Sequence, residues 1–76
     1  MAAYAVELMT RYDGLVIATF PDLPGVSALG RDDEEAVYEA QRALDDHVRS
    51  GEALPEPVAR GATMIEAAPV LIVAAA

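Results

Sequence analysis

The chain has 76 residues, 54% of them hydrophobic, and its 13 acidic side chains outnumber five arginines to give a formal net charge of −8 at pH 7. A chain of this length forms one domain with a small core, for which oligomerisation is a natural supplement. The absence of cysteine excludes disulfides and thiolate metal sites, and the negative charge disfavours direct nucleic-acid binding but attracts basic proteins.

No membrane or secretion segment is visible in the sequence. Residues 1–13 lack the basic region and long apolar run of a secretion signal. No apolar stretch reaches the roughly 18 residues that a membrane-spanning helix needs. We therefore expect a soluble cytoplasmic protein that binds no membrane.

Alternating hydrophobic residues near the N-terminus predict a β-hairpin. In the first strand every second residue shares one face, namely Tyr4, Val6 and Leu8. Asp13-Gly14 is a strong hairpin-turn signal, and residues 15–20 form the second strand. A two-residue turn would place Leu8 opposite Thr19, whereas a longer loop would shift this register.

Proline and glycine then predict a rigid corner and a short third strand. Pro21 cannot donate a hydrogen bond to a sheet, so strand pairing ends there. Pro24-Gly25 favours a tight turn. Residues 26–29 are long enough for a third strand, which Gly30 would end.

A helix follows from Asp33 to about Ser50. Asp32 lies at the N-cap position, with Glu35 three residues later to complete a capping box. Gly51 is a typical residue to follow the helix C-terminus. The hydrophobic residues recur with the helical period and form one stripe: Val37, Ala40, Leu44 and Val48.

The C-terminal third predicts an exposed connection and a last strand. Residues 51–57 contain two prolines and favour an extended link. The β-branched run 70–73 after Pro69 indicates a strand that is either internal to the sheet or part of a dimer contact. The prediction for residues 1–76 is one α+β domain of order β-β-β-α-β, with a small antiparallel sheet of three to four strands and one main helix on one face.

The acidic corner and helix start are candidates for binding a basic partner. Prolines would hold an exposed corner rigid and limit the entropy lost on docking, and carboxylates on the helix would attract cations. Each of these features also has a purely structural alternative. The corner can serve only to form the turn, the helix carboxylates can be an ordinary solvated face, and Tyr38 can pack beneath the sheet edge. The candidate partner-binding residues are Asp22, Leu23, Asp33, Glu34, Tyr38 and Glu39.

Several motifs together resemble the HicB-like antitoxins over nearly the whole chain. They are F-P-D-L-P-G at residues 20–25, G-x-x-x-E-E-A at residues 30–36 and L-P-x-P at residues 54–57. The resemblance implies a partial ribonuclease-H-like fold and dimers or higher oligomers. It also implies an antitoxin of a toxin–antitoxin system, which covers the active site of HicA, a small basic ribonuclease toxin.

The chain departs from the family pattern in two ways. Val26 and Asp32 stand where members often have cysteine and threonine, and both residues suit their strand and cap positions. Many members continue into a DNA-binding segment, for which these 76 residues leave no room. We therefore expect a short member of the family that does not bind operator DNA by itself.

Catalysis is not expected. His47 is the sole histidine and lies near a helix C-terminus, where packing or dipole roles are usual. The ribonuclease-H-like fold raises the alternative of a metal-dependent nuclease, in which Glu7, Asp13 and Asp22 bind divalent ions. The fold alone is weak evidence for activity. The favoured hypothesis is an antitoxin-like module without cofactor or metal, and the second is a solitary oligomeric adaptor or regulator without a toxin.

Overall fold

The computed structural model describes residues 2–51 and 54–67, which form an antiparallel sheet carrying one helix. The sequence-based prediction of an α+β fold with the order β-β-β-α-β is confirmed. The strand order across the sheet is β3-β2-β1-β4. The elements are β1 (Ala3–Thr10), β2 (Val16–Thr19), β3 (Ser27–Gly30), α1 (Asp33–Arg49) and β4 (Thr63–Glu66). The predicted strand at 70–73 lies outside the described residues.

The hairpin between β1 and β2 has a longer loop than a two-residue turn. Arg11 N donates to Leu15 O at 2.7 Å, and Gly14 N donates to Arg11 O at 3.0 Å, so residues 12–14 form the loop. Gly14 has a φ of 88°, a left-handed conformation that glycine adopts without steric penalty. A turn followed by such a glycine is typical of three-residue hairpins.

The longer loop shifts the strand register by one residue. Leu8 lies opposite Ala18 rather than Thr19, which is the register of the longer loop and not that of a two-residue turn. Because side chains alternate between the two faces, this shift moves Val16 and Ala18 onto the face of Tyr4, where all three are buried. The hairpin loop thus decides which side of β2 contributes to the core.

The core lies between the sheet and α1. The helix packs most extensively on β3 and less on β2 and β1. Burying a large apolar side chain contributes about 1.5–3 kcal/mol, and here several alanines take the place of larger residues. The buried cluster comprises Tyr4, Val6, Val16, Ala18, Phe20, Leu23, Ala36, Ala40, Leu44, Ile65 and Ala67.

The helix begins and ends where the sequence predicted, with one difference at its N-terminus. Asp32 Oδ1 accepts the backbone N–H of Glu35 at 2.8 Å, as an N-cap residue does. The Glu35 side chain, however, accepts the backbone N–H of Arg31 at 2.8 Å and not that of Asp32, so the capping box is displaced by one residue. At the other end Gly51 follows the helix with a φ of 85°.

A proline-rich connection, residues 54–62, joins the helix to β4 without regular secondary structure. The Tyr4 hydroxyl donates a hydrogen bond of 2.6 Å to the Pro55 carbonyl oxygen, and Leu54 packs against the core. These contacts hold the connection against β1. Within residues 2–51 and 54–67, no helix is both long enough and apolar enough to cross a lipid bilayer.

Candidate binding surface

The corner between β2 and β3 is bound to the proline-rich connection. Asp22 Oδ2 accepts the backbone N–H groups of Val58 and Ala59, each at 2.9 Å. Asp22 therefore holds a segment distant in sequence and does more than form its own turn. Both donors share Oδ2, so the Asp22 side chain is held against this segment.

The prediction that Leu23 is exposed is wrong. Only 4% of its surface is accessible, and it belongs to the buried cluster. The turn accounts for this inward direction, because Leu23 N donates to Phe20 O and Val26 N donates to Leu23 O, each at 3.0 Å. A leucine at this corner adds apolar burial to a small core. The residue has a packing role and is not available to a partner.

The first turns of α1 place an aromatic ring beside carboxylates at the surface. Glu34 and Tyr38 are four residues apart, so they are neighbours on the same side of the helix. Tyr38 is 63% exposed, so it is not packed beneath the sheet edge. Asp33 and Glu34 are also exposed. We call Asp33, Glu34 and Tyr38 the outer helix surface.

Glu39 lies on a different side of α1. It lines a groove between the helix and β3, and its carboxylate pairs with Arg42 at 3.5 Å. The other residues lining this groove are Ser27, Ala28, Leu29, Ala43 and Asp46. The predicted binding residues therefore fall into separate places: two at the corner, three on the outer helix surface and one in the groove.

Arginines of the chain neutralise part of the acidic surface. Four of the five arginines form ion pairs: Arg11 with Asp13 at 2.9 Å, Arg31 with Glu35 at 3.0 Å, Arg42 with Glu39 at 3.5 Å and Arg49 with Asp46 at 3.8 Å. Such surface pairs contribute little stability, roughly 0–1 kcal/mol each. Within the described ranges, five carboxylates have no ion pair or hydrogen bond: Glu7, Asp33, Glu34, Glu56 and Glu66.

The Arg31–Glu35 contact changes the acidity of one helix carboxyl. Hydrogen bonds from the Arg31 side chain, and next from its backbone N–H, lower the pKa of Glu35 below its usual value. Glu35 therefore favours its ionised form more than a free glutamate does, and its carboxylate is engaged within the chain. The two neighbouring carboxylates Asp33 and Glu34 carry no such contact among the described residues, so they are the ones that remain open to a cation.

The three carboxylates considered for divalent ions lie in different settings. Glu7 projects from the sheet face opposite α1, since it alternates with the buried Val6. Asp13 Oδ1 accepts Leu15 N at 3.2 Å within the hairpin loop, and Asp22 is bound to the proline-rich connection. Among residues 2–51 and 54–67, no group of three histidine or acidic residues is arranged to hold a metal ion.

The open face of the sheet carries an apolar row that the sequence pattern did not predict. Met9, Ile17 and Leu29 lie directly opposite one another on β1, β2 and β3. Met9 is 68% and Leu29 44% exposed. The alternation of Met9 with the core-facing Leu8 was the available signal, but the row became visible only with the strand register.

No family model matches this chain, and no curated protein is significantly similar to it.

Proposed function

We propose that the protein is an antitoxin-like binding module that neutralises a small basic ribonuclease toxin of the HicA type in the cytoplasm. The observation that carries this proposal is the outer helix surface, where the exposed ring of Tyr38 lies one helical turn from Glu34. The motif resemblance at residues 20–36 supports the same function. The proposed contact does not use Asp22, which holds the proline-rich connection, or the buried Leu23.

The outer helix surface combines features that favour binding a cationic protein. Tyrosine is common at interface hot spots, because a rigid ring supplies contact area with little loss of conformational entropy. An arginine of the partner can stack on the ring while pairing with Glu34. Because these groups lie on a capped helix, they are held in place before the partner arrives.

The overall charge supports the same class of partner. A net charge of −8 attracts a basic protein and accelerates its association, most strongly at low salt. Ribonucleases bind the phosphates of RNA through cationic groups. A surface with unpaired carboxylates can occupy such a site in place of RNA, which would block the enzyme without any catalytic step by the inhibitor.

Charge reversal at matched positions tests this proposal. The protein is co-expressed and co-purified with the small basic product of the adjacent reading frame, and affinity is measured by calorimetry. Glu34→Arg should weaken binding about tenfold or more, equivalent to about 1.4 kcal/mol. Glu7→Arg is the control, because it makes the same charge change at another unpaired carboxylate on the opposite side of the sheet. Failure to bind this product or to restore growth would reject the antitoxin function.

A solitary oligomeric adaptor is the second candidate. The apolar row of Met9, Ile17 and Leu29 favours it, because exposed apolar patches often mark interaction sites. A gene with no small basic neighbour, together with self-association of the purified protein, would support the adaptor. Equal loss of toxin binding in Glu34→Arg and Glu7→Arg would mean that only net charge matters, and it would remove the outer helix surface from the proposal.

A further inference from the structure

We propose that the free edge of β3 and the adjoining side of α1 bind an extended peptide segment in which basic and apolar side chains alternate. The segment would add to the sheet as a further strand, with its basic side chains beside α1 and its apolar side chains on the open face. This surface consists of Ser27–Gly30, Glu39, Arg42 and Asp46, and we call it the β3–α1 edge. The inference goes beyond the proposed function, because it concerns a different surface from the outer helix surface and holds with or without a toxin.

The backbone of β3 provides the first part of the site. Among the described residues β3 pairs with β2 alone, so the donors and acceptors on its other side have no strand partner there. Proteins usually protect such an edge with lysine, proline, a bulge or an inward-pointing charge. The strand sequence Ser-Ala-Leu-Gly contains no proline and no charged residue. Hydrogen bonds to an exposed strand edge are a common way of binding an extended peptide.

The helix side of this edge favours basic side chains. The groove between β3 and α1 contains two carboxylates, Glu39 and Asp46, and one guanidinium, Arg42. The pair of Arg42 with Glu39, at 3.5 Å, offsets these two charges and leaves the charge of Asp46 in excess. Asp46 contacts Arg49 only at 3.8 Å, and both side chains are at least 70% exposed. Because such a pair is weak, a cation of a bound segment can compete with Arg49.

Asp46 occupies a central place on this side of the helix. It also lines a second groove, which includes Gly25 and Val26 of the β2–β3 corner and His47 of α1. The small, half-buried Ala43 lines both grooves, so no large side chain separates them at this point. A lysine or arginine that projects from the strand edge toward α1 can therefore reach the carboxylate of Asp46.

The open face beside the edge favours apolar side chains. Leu29, which is 44% exposed, is the last member of the apolar row formed with Met9 and Ile17. Side chains of an added strand alternate between the two faces, so those that point away from α1 lie beside this row. An apolar residue next to Leu29 would remove further apolar surface from water. The two faces together select an alternating segment, which attraction between net charges alone does not do.

Synthetic peptides test the proposal. The probe is a short peptide in which arginine and valine alternate; calorimetry measures its binding, and hydrogen exchange followed by NMR locates it. The peptide should bind and slow exchange of the outward-facing β3 amides. A peptide of the same composition with its arginines and valines in separate blocks should bind about tenfold more weakly or worse, as should alternating peptides N-methylated at every second amide in either register. These controls keep the charge but lose the alternation or the strand hydrogen bonds.

Charge reversal in the protein gives a matched pair of variants. Asp46→Arg should weaken binding of the alternating peptide about tenfold, because an attraction becomes a repulsion. Glu66→Arg is the control, since it makes the same charge change on β4, at the opposite edge of the sheet, and should cause a clearly smaller loss. Asp46→Asn adds no new charge and should give an intermediate loss. Circular dichroism shows whether each variant is folded.

Four results would overturn the proposal. The first is no binding of the alternating peptide at millimolar concentration. The second is equal binding of the alternating, block and N-methylated peptides, which would mean that only opposite net charge attracts them. The third is an equal loss in Asp46→Arg and Glu66→Arg. The fourth is slowed exchange on β4 instead of β3, or β3 amides that are already protected without peptide because a second copy or another segment covers the edge.

Discussion

The carboxylate of Asp22 accepts the backbone N–H of Val58 at 2.9 Å, although the two residues are 36 positions apart in the chain. The same oxygen accepts the N–H of Ala59. One side chain at the β2–β3 corner thus satisfies two donors of the proline-rich connection, which has no regular structure to satisfy them itself. The connection in turn reaches β1 through the Tyr4 hydroxyl.

Removal of the Asp22 carboxylate should destabilise the protein. Asp22→Ala leaves two backbone donors without their partner, and we expect a loss of about 1–2 kcal/mol in the free energy of unfolding. Asp22→Asn retains an acceptor oxygen without the charge, so its loss should be smaller. Urea unfolding measures both variants, and hydrogen exchange should be faster at Val58 and Ala59. An alanine variant as stable as the parent would contradict this prediction.

Gly30 should not tolerate a side chain. A Cβ at this position would lie 2.7 Å from the Ala36 Cα, and backbone at such a contact has little room to move. We expect Gly30→Ala to reduce the free energy of unfolding by about 1–3 kcal/mol or more. Gly61→Ala is the control, since its Cβ would meet only the Ala5 Cβ at an ordinary 3.7 Å. Equal melting temperatures for the two variants would contradict the close packing of β3 and α1.

Tyr4 should make stability fall at alkaline pH. Burial, and to a smaller extent the negative charges of Glu56 and Asp22, raise the pKa of Tyr4 above its ordinary value of about 10. The folded state therefore keeps this proton more tightly than the unfolded chain, so stability is complete below about pH 10 and decreases as the pH rises through the folded pKa.

Tyr4→Phe separates this effect from others. The variant loses the hydrogen bond to Pro55, about 1 kcal/mol at neutral pH, but its stability should decrease less between neutral and strongly alkaline pH. Unfolding in urea at several pH values measures the difference. The same alkaline decrease in parent and variant would show that other groups are responsible.

Glu35 should give the opposite pH dependence. Its lowered pKa means that its stabilising contribution is present above the unfolded value of about 4.3 and is lost as the pH falls through the folded value. In Glu35→Gln the free energy of unfolding should therefore depend less on pH in the acidic range. Added salt should also weaken this pH dependence, because salt screens the Arg31–Glu35 pair at the surface. Thermal unfolding between pH 3 and 6, with Glu34→Gln as the control on the adjacent residue, tests this.

The features that are set by residues close together in the sequence were predictable. Asp32 caps α1 and Gly51 follows it because each acts on backbone groups within a few positions. The alternation in β1 likewise placed Tyr4 and Val6 in the core. The hairpin was predicted, but its register was left open between two alternatives, since Asp13-Gly14 is compatible with loops of two or three residues.

The candidate site was harder to predict, because exposure depends on contacts between distant segments. Leu23 was expected at the surface and is buried, and Asp22 binds residues that no local pattern connects to it. Tyr38 had two possible positions on an amphipathic helix, and only the position of α1 over β3 and β2 decided that its ring is exposed.

The sequence by itself therefore determined the element order, the helix boundaries and the excess of negative charge, all of which follow from local backbone preferences and composition. Only the tertiary structure decided which carboxylates among residues 2–51 and 54–67 are engaged within the chain and which side chains are buried. These properties arise where segments far apart in the chain meet, and each hydrogen bond or buried contact formed there removes a group from the surface that could otherwise bind a partner.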